Sequence, residues 1–152
     1  MKQKNIEKYM EKNARYWAKK LKIPLYKITK DNRGRRFWAY VAHRYGKNYL
    51  TYSSKYIVEF NPTKNDLLQL ILHELGHLKG KWLANYVGCI KAEYQAEKQS
   101  LKWLKKYNHK YYLKYTAYMK KELFNPHSWW DRDKPYYGKA FRKIKEYQNN
   151  TK

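Results

Sequence analysis

Two histidines and a glutamate stand close together in the segment LILHELGHLKG, residues 70–80. In an α-helix, residues four apart lie on the same face, so His73 and His77 can direct two imidazole rings to one point. Imidazole nitrogen binds zinc at about 2.0 to 2.1 Å, and a catalytic zinc takes three protein ligands and keeps one position for water. Glu74 projects about 100° further round the helix, where its carboxylate can serve as a general base. The segment therefore predicts a helical metal site that needs a third ligand.

A second acidic pair follows in the motif EYQAE, residues 93–97. Glu93 and Glu97 are again four apart, so both lie on one face of a predicted helix. One carboxylate can bind the metal while the other orients a ligating histidine, because such histidines usually donate their second N–H to a carboxylate or carbonyl. An alternative is a solvent-exposed helix face on which the two glutamates balance nearby lysines, namely Lys91, Lys98 and Lys102.

Hydrophobic periodicity indicates which elements position these residues. An amphipathic helix is predicted over 5–21, and short strands are predicted in LYKIT (25–29), RFWAYVAHRY (36–45) and KYIVEF (55–60). The order of the strands, with GKNYLTYSS (46–54) separating the last two, predicts a small antiparallel meander. The edge of the KYIVEF strand could pair with an extended peptide substrate.

The stretch around HELGH is bounded by signals for the start and the end of a helix. Thr63 as N-cap with Asp66 three residues on is close to a capping box, and Gly80 is a suitable stop. A helix is therefore predicted over 64–79, followed by helices over 90–107 and 111–124 and a short one over 139–148.

Charge is distributed unevenly along the 152 residues, whose formal net charge is +23. Residues 1–60 carry 16 basic and 4 acidic side chains, residues 98–152 carry 15 and 4, and residues 61–97 carry 4 of each. A large positive net charge of this kind attracts nucleic acid, anionic membranes or acidic proteins. Basic and aromatic residues interleave in NRGRRFWAY (32–40) and LKWLKKYNHKYYLKY (101–115), as in surfaces that stack on bases. A hot habitat or genome composition is the competing explanation.

The size and the cysteine usage bound the class of protein. The length fits one domain with its own core. Cys89 is the single cysteine, which excludes an intramolecular disulfide and fits a reducing compartment. The start lacks the apolar run of a signal peptide, and no apolar segment of 18 residues occurs. We therefore expect a cytoplasmic protein that is not inserted in a membrane.

The two motifs together resemble the gluzincin metallopeptidases, whose active helix is H-E-x-x-H and whose next helix supplies a glutamate within E-x-x-A-[DE]. HELGH and EYQAE match as they stand. The resemblance implies His73, His77 and Glu93 as zinc ligands, Glu74 as general base and acid, and Glu97 as a carboxylate that supports the ligands. The order of elements is similar to compact ImmA/IrrE-like peptidases and, less closely, to SprT-like proteins; the match covers residues 58–106.

SprT-like proteins generally use a third histidine, so His109 or His127 could replace Glu93 as the third ligand. The residue that donates to the oxyanion is left open among Tyr86, Tyr94, His109 and His127. Iron, cobalt or manganese can occupy similar ligands, although zinc is the metal that the resemblance implies.

These observations predict a single α+β, zincin-like domain over residues 1–152. It has an N-terminal helix, a small antiparallel sheet, the HELGH helix, a glutamate helix and a basic, aromatic C-terminal extension over 108–152. The predicted function is zinc-dependent endopeptidase action on protein or peptide substrates. The alternative is a nucleic-acid-associated protein, either a SprT-like protease recruited by DNA or a binding protein with a non-catalytic zinc site.

Overall fold

The structure, a computed structural model, describes residues 1–79 and 88–124, and in the second range it describes the side chains of residues 92, 93 and 95–119. The chain divides into two compact units, Met1–Lys79 and Gly80–Lys152. The described residues form five α-helices and a three-stranded mixed sheet, so the predicted α+β class is confirmed. The assignment of residues 1–152 to a single domain stays a prediction. The predicted stop at Gly80 and the predicted helix over 139–148 lie outside the described residues.

The helices and strands follow one another in the order α1 (Gln3–Lys20), β1 (Lys27–Lys30), β2 (Ala39–Arg44), β3 (Lys47–Tyr52), α2 (Ser54–Glu59), α3 (Lys64–Lys79), α4 (Gly88–Tyr107) and α5 (His109–Phe124). The four helices predicted over 5–21, 64–79, 90–107 and 111–124 are therefore confirmed as α1, α3, α4 and α5. Among the described residues, no helix combines the length and the apolar character that crossing a bilayer requires.

The core of the first unit lies where α1 and the sheet pack against α3. Each of the two long helices presents apolar side chains at helical spacing, as the amphipathic pattern requires. Ile6, Met10 and Ala14 of α1 are fully buried. The fully buried hydrophobic side chains of the sheet, α2 and α3 are Leu50, Tyr52, Ile57, Leu67, Ile71, Leu72 and Leu75. One face of α3 is therefore fixed in the core, which sets the rotation of the helix and the direction of its polar residues.

The sheet differs from the predicted antiparallel meander, because its strand order is β1-β3-β2. The strands β2 and β3 are antiparallel, but β1 pairs with β3 in parallel. The central strand, Lys47–Tyr52, lies in the stretch 46–54, which the sequence predicts as a connection between two strands. A tight turn at Tyr45 and Gly46, both at positive φ, joins β2 to β3. Asparagine or aspartate before glycine is the usual sequence signal for such a turn. Because tyrosine occupies the first position here, the sequence does not predict the turn.

The predicted strand KYIVEF is wrong, because residues Ser54–Glu59 form the helix α2. Tertiary contacts override the strand propensity of Ile57 and Val58. Ser54 is buried at the first turn, where its hydroxyl donates to Glu7 Oε1 at 2.8 Å. Ile57, one turn later, is fully buried in the core. The expected pairing of a peptide with this segment as a strand edge is therefore also wrong.

The Glu7 carboxylate ties α1 to α2 and β1. Besides the Ser54 hydroxyl, it accepts a hydrogen bond from Gln3 Nε2 at 3.0 Å and lies 3.2 Å from Lys30 Nζ. Burial opposes ionisation of this carboxyl, but the hydrogen bonds from Ser54 and Gln3 and the Lys30 ammonium outweigh that effect, so the pKa of Glu7 lies below its ordinary value. The network stabilises the start of α2, the segment directly before the HELGH helix.

The start of α3 is fixed by the predicted capping box. The backbone N–H of Thr63 donates to Asp66 Oδ2 at 2.7 Å, and the backbone N–H of Asp66 donates to Thr63 Oγ1 at 3.2 Å. Two N–H groups that lack partners within the helix are satisfied in this way. The observed helix has the predicted bounds, Lys64–Lys79.

The second unit is described through α4 and α5, which pack against each other. Their buried apolar side chains are Ala96, Leu101, Trp103, Leu104, Tyr111 and Met119. Asn108 separates the two helices and caps the second one, because its Oδ1 accepts a hydrogen bond from the backbone N–H of Tyr111 at 3.2 Å. Residues 125–152, the rest of the basic extension, lie outside the described part of the chain.

Candidate metal centre

The helix α3 brings the two histidines together. His73 and His77 are one turn apart and half-buried, and their ring centroids lie 4.9 Å apart with an interplanar angle of 82°. The buried positions Leu67, Ile71 and Leu75 hold the opposite stripe of α3 in the core. The histidine pair is therefore presented by a helix whose rotation is fixed, as a preorganised site requires.

Glu74 lies between the two histidines in sequence and is more deeply buried than either of them, with 6% of its surface exposed. The neighbouring side chains along the helix include Leu72 and Leu75, which are fully buried. Removing a carboxylate from water is costly unless charged or hydrogen-bonding groups compensate. A leucine would pack at this position without that cost, so packing alone does not account for a glutamate here.

Glu93 lies in the second turn of α4 and is half-buried. One possible ligand atom from each of His73, His77 and Glu93 lies within 4.8 Å of the other two. Among the residues that the structure describes, this is the group of three or more histidine, cysteine, aspartate or glutamate side chains that could hold a metal ion. These three residues are the ones that the gluzincin resemblance names as ligands.

The donor set fits a divalent transition metal. Two imidazole nitrogens and one carboxylate oxygen are a donor set that catalytic zinc sites use, with bonds of about 2.0 to 2.2 Å. In a tetrahedral site with such bonds, neighbouring ligand atoms lie roughly 3.3 to 3.6 Å apart. The candidate atoms lie within 4.8 Å of one another, which is wider than this spacing, so the three side chains would have to close on a bound ion.

Glu97 lies one turn beyond Glu93 on α4 and is buried, with 5% of its surface exposed. Its carboxylate accepts a hydrogen bond from the Tyr115 hydroxyl at 2.8 Å and a longer one from Ser100 Oγ at 3.5 Å. Ser100 Oγ also donates to the backbone carbonyl of Glu97 at 2.9 Å. The alternative of a solvent-exposed acidic face is therefore wrong for Glu97. That Glu97 orients a ligating histidine stays a prediction.

Tyr115 was not among the predicted site residues. It lies on α5, 18 residues after Glu97, and no local pattern links two side chains that far apart in sequence. Ser100 was also missed, although its spacing of three residues from Glu97 places it on the same side of α4. The hydrogen bond from Tyr115 joins α5 to α4 at the level of the acidic motif.

Replacing Tyr115 by phenylalanine tests this connection. The ring is retained, but the buried Glu97 carboxylate loses a donor, and hydrogen bonds to charged groups contribute about 1.5 to 3 kcal/mol. We expect the free energy of unfolding to fall by about 1 to 3 kcal/mol, measured by urea denaturation followed by circular dichroism. Tyr112→Phe on the same helix is the matched control and should change stability little. Equal stability of the Tyr115 and Tyr112 variants would contradict the assigned contact.

The other residues predicted as a third ligand or as the oxyanion donor either are not members of the metal-binding group or lie outside the described residues. His109 is exposed at the start of α5, where its ring stacks on Tyr112 with centroids 5.9 Å apart; it is not a member of the described metal-binding group. Tyr86 and His127 lie outside the described residues. Only the backbone of Tyr94 and of Cys89 is described, within α4. The identity of the oxyanion donor therefore stays a prediction.

Comparison with known proteins adds no assignment. The chain matches no protein-family model, and no curated protein or solved structure gives a significant match. The function is therefore inferred from the residues of the site themselves.

Proposed function

We propose that the chain is a zinc-dependent metallopeptidase of the gluzincin type, with a zincin-like arrangement of its HELGH and glutamate helices. The observation that carries the proposal is the grouping of His73, His77 and Glu93, whose ligand atoms lie within 4.8 Å of one another. A structural zinc site is normally closed by four protein ligands, whereas a catalytic one leaves a position open. Three candidate ligands among the described residues, with Glu74 as the proposed general base, therefore support a catalytic role.

The proposed roles follow from the chemistry of each side chain. His73, His77 and Glu93 would hold the ion. When bound, zinc supplies a positive charge that polarises a carbonyl oxygen and makes water a stronger acid. The Glu74 carboxylate would accept the proton of the attacking water and donate it to the nitrogen of the leaving amine. A positioned acid and base of this kind typically contributes about 10² to 10⁴ in rate.

The burial of Glu74 supports its role as the proton carrier. With 6% of its surface exposed, this carboxylate would exchange protons with a reacting group held beside it rather than with bulk solvent. A site for a purely structural metal needs no such group. Glu74 is therefore the residue that separates the catalytic proposal from a binding protein with a non-catalytic zinc.

The test is hydrolysis of an unfolded protein such as casein by the full chain, measured by the release of new amino termini. We expect hydrolysis that 1,10-phenanthroline abolishes and that added zinc restores, because the chelator removes the ion without altering the chain. A chain kept in phenanthroline throughout purification controls for contaminating proteases, since only restored activity counts. Hydrolysis that the chelator does not affect, or no hydrolysis by zinc-loaded protein, would exclude the proposal.

A further inference from the structure

One face of the sheet, away from the core of its unit, carries only aromatic, basic and small residues. In the observed register Arg44 pairs with Lys47, Ala42 with Tyr49 and Tyr40 with Thr51, so these six side chains share one face. Lys27 pairs with Tyr49 on the same face. The buried residues Val41, Leu50 and Tyr52 occupy the opposite face. We name the surface formed by Lys27, Tyr40, Arg44, Lys47 and Tyr49 the outer sheet face.

The charge of this face has one sign. Lys27, Arg44 and Lys47 are exposed, and none of the three strands contains an aspartate or glutamate. The segment that precedes β2 in the sequence also contains three exposed arginines, at positions 33, 35 and 36. Of these, Arg35 is paired with Asp31. A surface of this kind complements a polyanion.

Three tyrosines expose their rings at or beside the face. The exposed fractions are 37% for Tyr40, 56% for Tyr26 and 98% for Tyr45. The Tyr26 ring contacts the Tyr49 ring edge-on, with centroids 5.3 Å apart, and Lys47 Nζ lies 4.4 Å from the Tyr26 ring centroid. Phe37 contacts Tyr40 in the same way at 5.1 Å. These contacts restrict the rings of Tyr26 and Tyr40, which lowers the entropy cost of binding a partner.

Tyr45 occupies an unfavourable backbone position. Its φ is 51°, and Gly46, the other residue of the turn, has φ 72°. Positive φ at both positions suits asparagine, aspartate or glycine, and a bulky side chain there is an outlier. The ring is almost fully exposed, so it gains no burial that would offset this strain. A tyrosine at this position is therefore better explained by a contact with a partner than by folding.

We propose that the outer sheet face, together with the neighbouring Tyr26 and Tyr45, binds single-stranded nucleic acid. Bases would stack on Tyr26, Tyr40 and Tyr45, and phosphates would pair with Lys27, Arg44 and Lys47. Every base has a π-face, so exposed rings beside cations bind single strands with little sequence preference. A duplex keeps its bases stacked on each other and cannot use these rings. An anionic membrane would also attract the cations, so binding to vesicles is one of the outcomes that the test distinguishes. This binding does not depend on the metal centre.

The experiment measures fluorescence anisotropy of a labelled 12-nucleotide oligo(dT) and oligo(U) with the full, zinc-loaded chain. The test variant combines Tyr40→Thr with Tyr45→Asn, because threonine suits a strand and asparagine tolerates positive φ. Removing a stacking ring weakens single-strand binding by roughly 5- to 150-fold in proteins of this type, so we expect the Kd to rise at least tenfold. The phenylalanine versions, Tyr40→Phe with Tyr45→Phe, should restore binding.

Two controls separate stacking from attraction by the net charge. Tyr16→Gln removes an exposed tyrosine, 54% exposed on α1, that lies outside the outer sheet face; it should change the Kd less than twofold. In wild type, log Kd against log[salt] should have a slope near 2, about 0.7 for each of three phosphate contacts on a single strand, and Arg44→Gln with Lys47→Gln should lower it by about 1.4.

The outcomes decide the proposal in either direction. It is supported if binding falls in the Tyr40/Tyr45 variant, returns with phenylalanine and survives in Tyr16→Gln. It is overturned if the Tyr40/Tyr45 variant binds within twofold of wild type, if a duplex of equal length binds as tightly as the single strand, or if phosphatidylserine vesicles bind and oligonucleotides do not. Casein hydrolysis and circular dichroism should be unchanged in all these variants, so failure here is distinguishable from failure of the peptidase proposal.

Discussion

A chain with Glu74 replaced by glutamine should bind one zinc as tightly as wild type and lose nearly all peptide hydrolysis. Glutamine has the same shape but cannot accept and return a proton, so the loss should be about 10²- to 10⁴-fold in kcat, the range for a positioned acid and base. The zinc ligands are untouched in this variant. The measurement combines kcat for hydrolysis of casein or a peptide with the zinc content of the protein, determined by elemental mass spectrometry.

The matched control for that variant is Glu59→Gln, which removes the charge of an exposed glutamate at the end of α2. Its kcat should be unchanged, because Glu59 is not one of the proposed site residues. An undiminished rate in the Glu74 variant would remove Glu74 from the mechanism. A parallel loss in the Glu59 variant would show that general charge, not proton transfer, controls the rate.

Replacing any of the three proposed ligands, His73, His77 or Glu93, should weaken metal binding strongly and reduce activity with it. Mutating a residue that only orients a ligand lowers metal affinity about 10- to 100-fold. Loss of a ligand itself should have a larger effect, so His77→Ala and Glu93→Gln should each lower zinc affinity more than 100-fold. Glu97→Gln should lose only about 10- to 100-fold if Glu97 supports the ligands. The affinities can be measured by competition against a zinc-sensitive dye.

Two histidines outside the group serve as controls. His43 is exposed on β2, where its Nδ1 lies 2.6 Å from Asn48 Oδ1, and His109 is exposed on α5. Alanine at either position should leave the zinc affinity within about threefold of wild type, a change of well under 1 kcal/mol. Loss of zinc in His109→Ala together with retention in Glu93→Gln would transfer the third ligand to His109. Alanine favours helices, so a failure of His77→Ala to fold is not expected.

The helices were predictable because their signals are local. The capping residues Thr63 and Asp66 predicted the start of α3 and Gly80 predicted its end, while α1, α4 and α5 followed from periodicity. The spacing of four residues also sufficed to place His73 beside His77. These features depend on residues within one or two turns of each other, where sequence and geometry are closely linked.

The sheet and α2 were not predictable in the same way, because tertiary contacts decide them. β1 pairs with β3 because β3 is the central strand, and no local sequence pattern identifies the central strand. The Tyr45–Gly46 turn also lacks the usual asparagine or aspartate before glycine. The segment of α2 contains β-branched residues that favour a strand, but it is helical because Ser54 and Ile57 are buried against the rest of the unit. Likewise, the hydrogen bond from Tyr115 to Glu97 joins different helices and leaves no trace in a single sequence.

The basic and aromatic segments that looked equivalent in sequence also differ in the structure. In 101–115, Trp103 and Tyr111 are buried and Tyr115 binds Glu97, so these rings belong to the packing of the helical unit. In 32–40, Tyr40 stands exposed on the outer sheet face. Composition indicated where aromatic and basic residues concentrate, but burial was needed to separate rings that pack from rings that are available to a ligand.

The most direct test of the metal centre is zinc-edge X-ray absorption of the purified full chain, combined with anomalous diffraction from its crystals. The proposal predicts one zinc per chain, held by two imidazole nitrogens and one carboxylate oxygen at about 2.0 to 2.2 Å, with the remaining position open to water. The anomalous peak should lie at His73, His77 and Glu93. A chain that stays free of metal in excess zinc, or a zinc ion on other residues, would contradict the proposal.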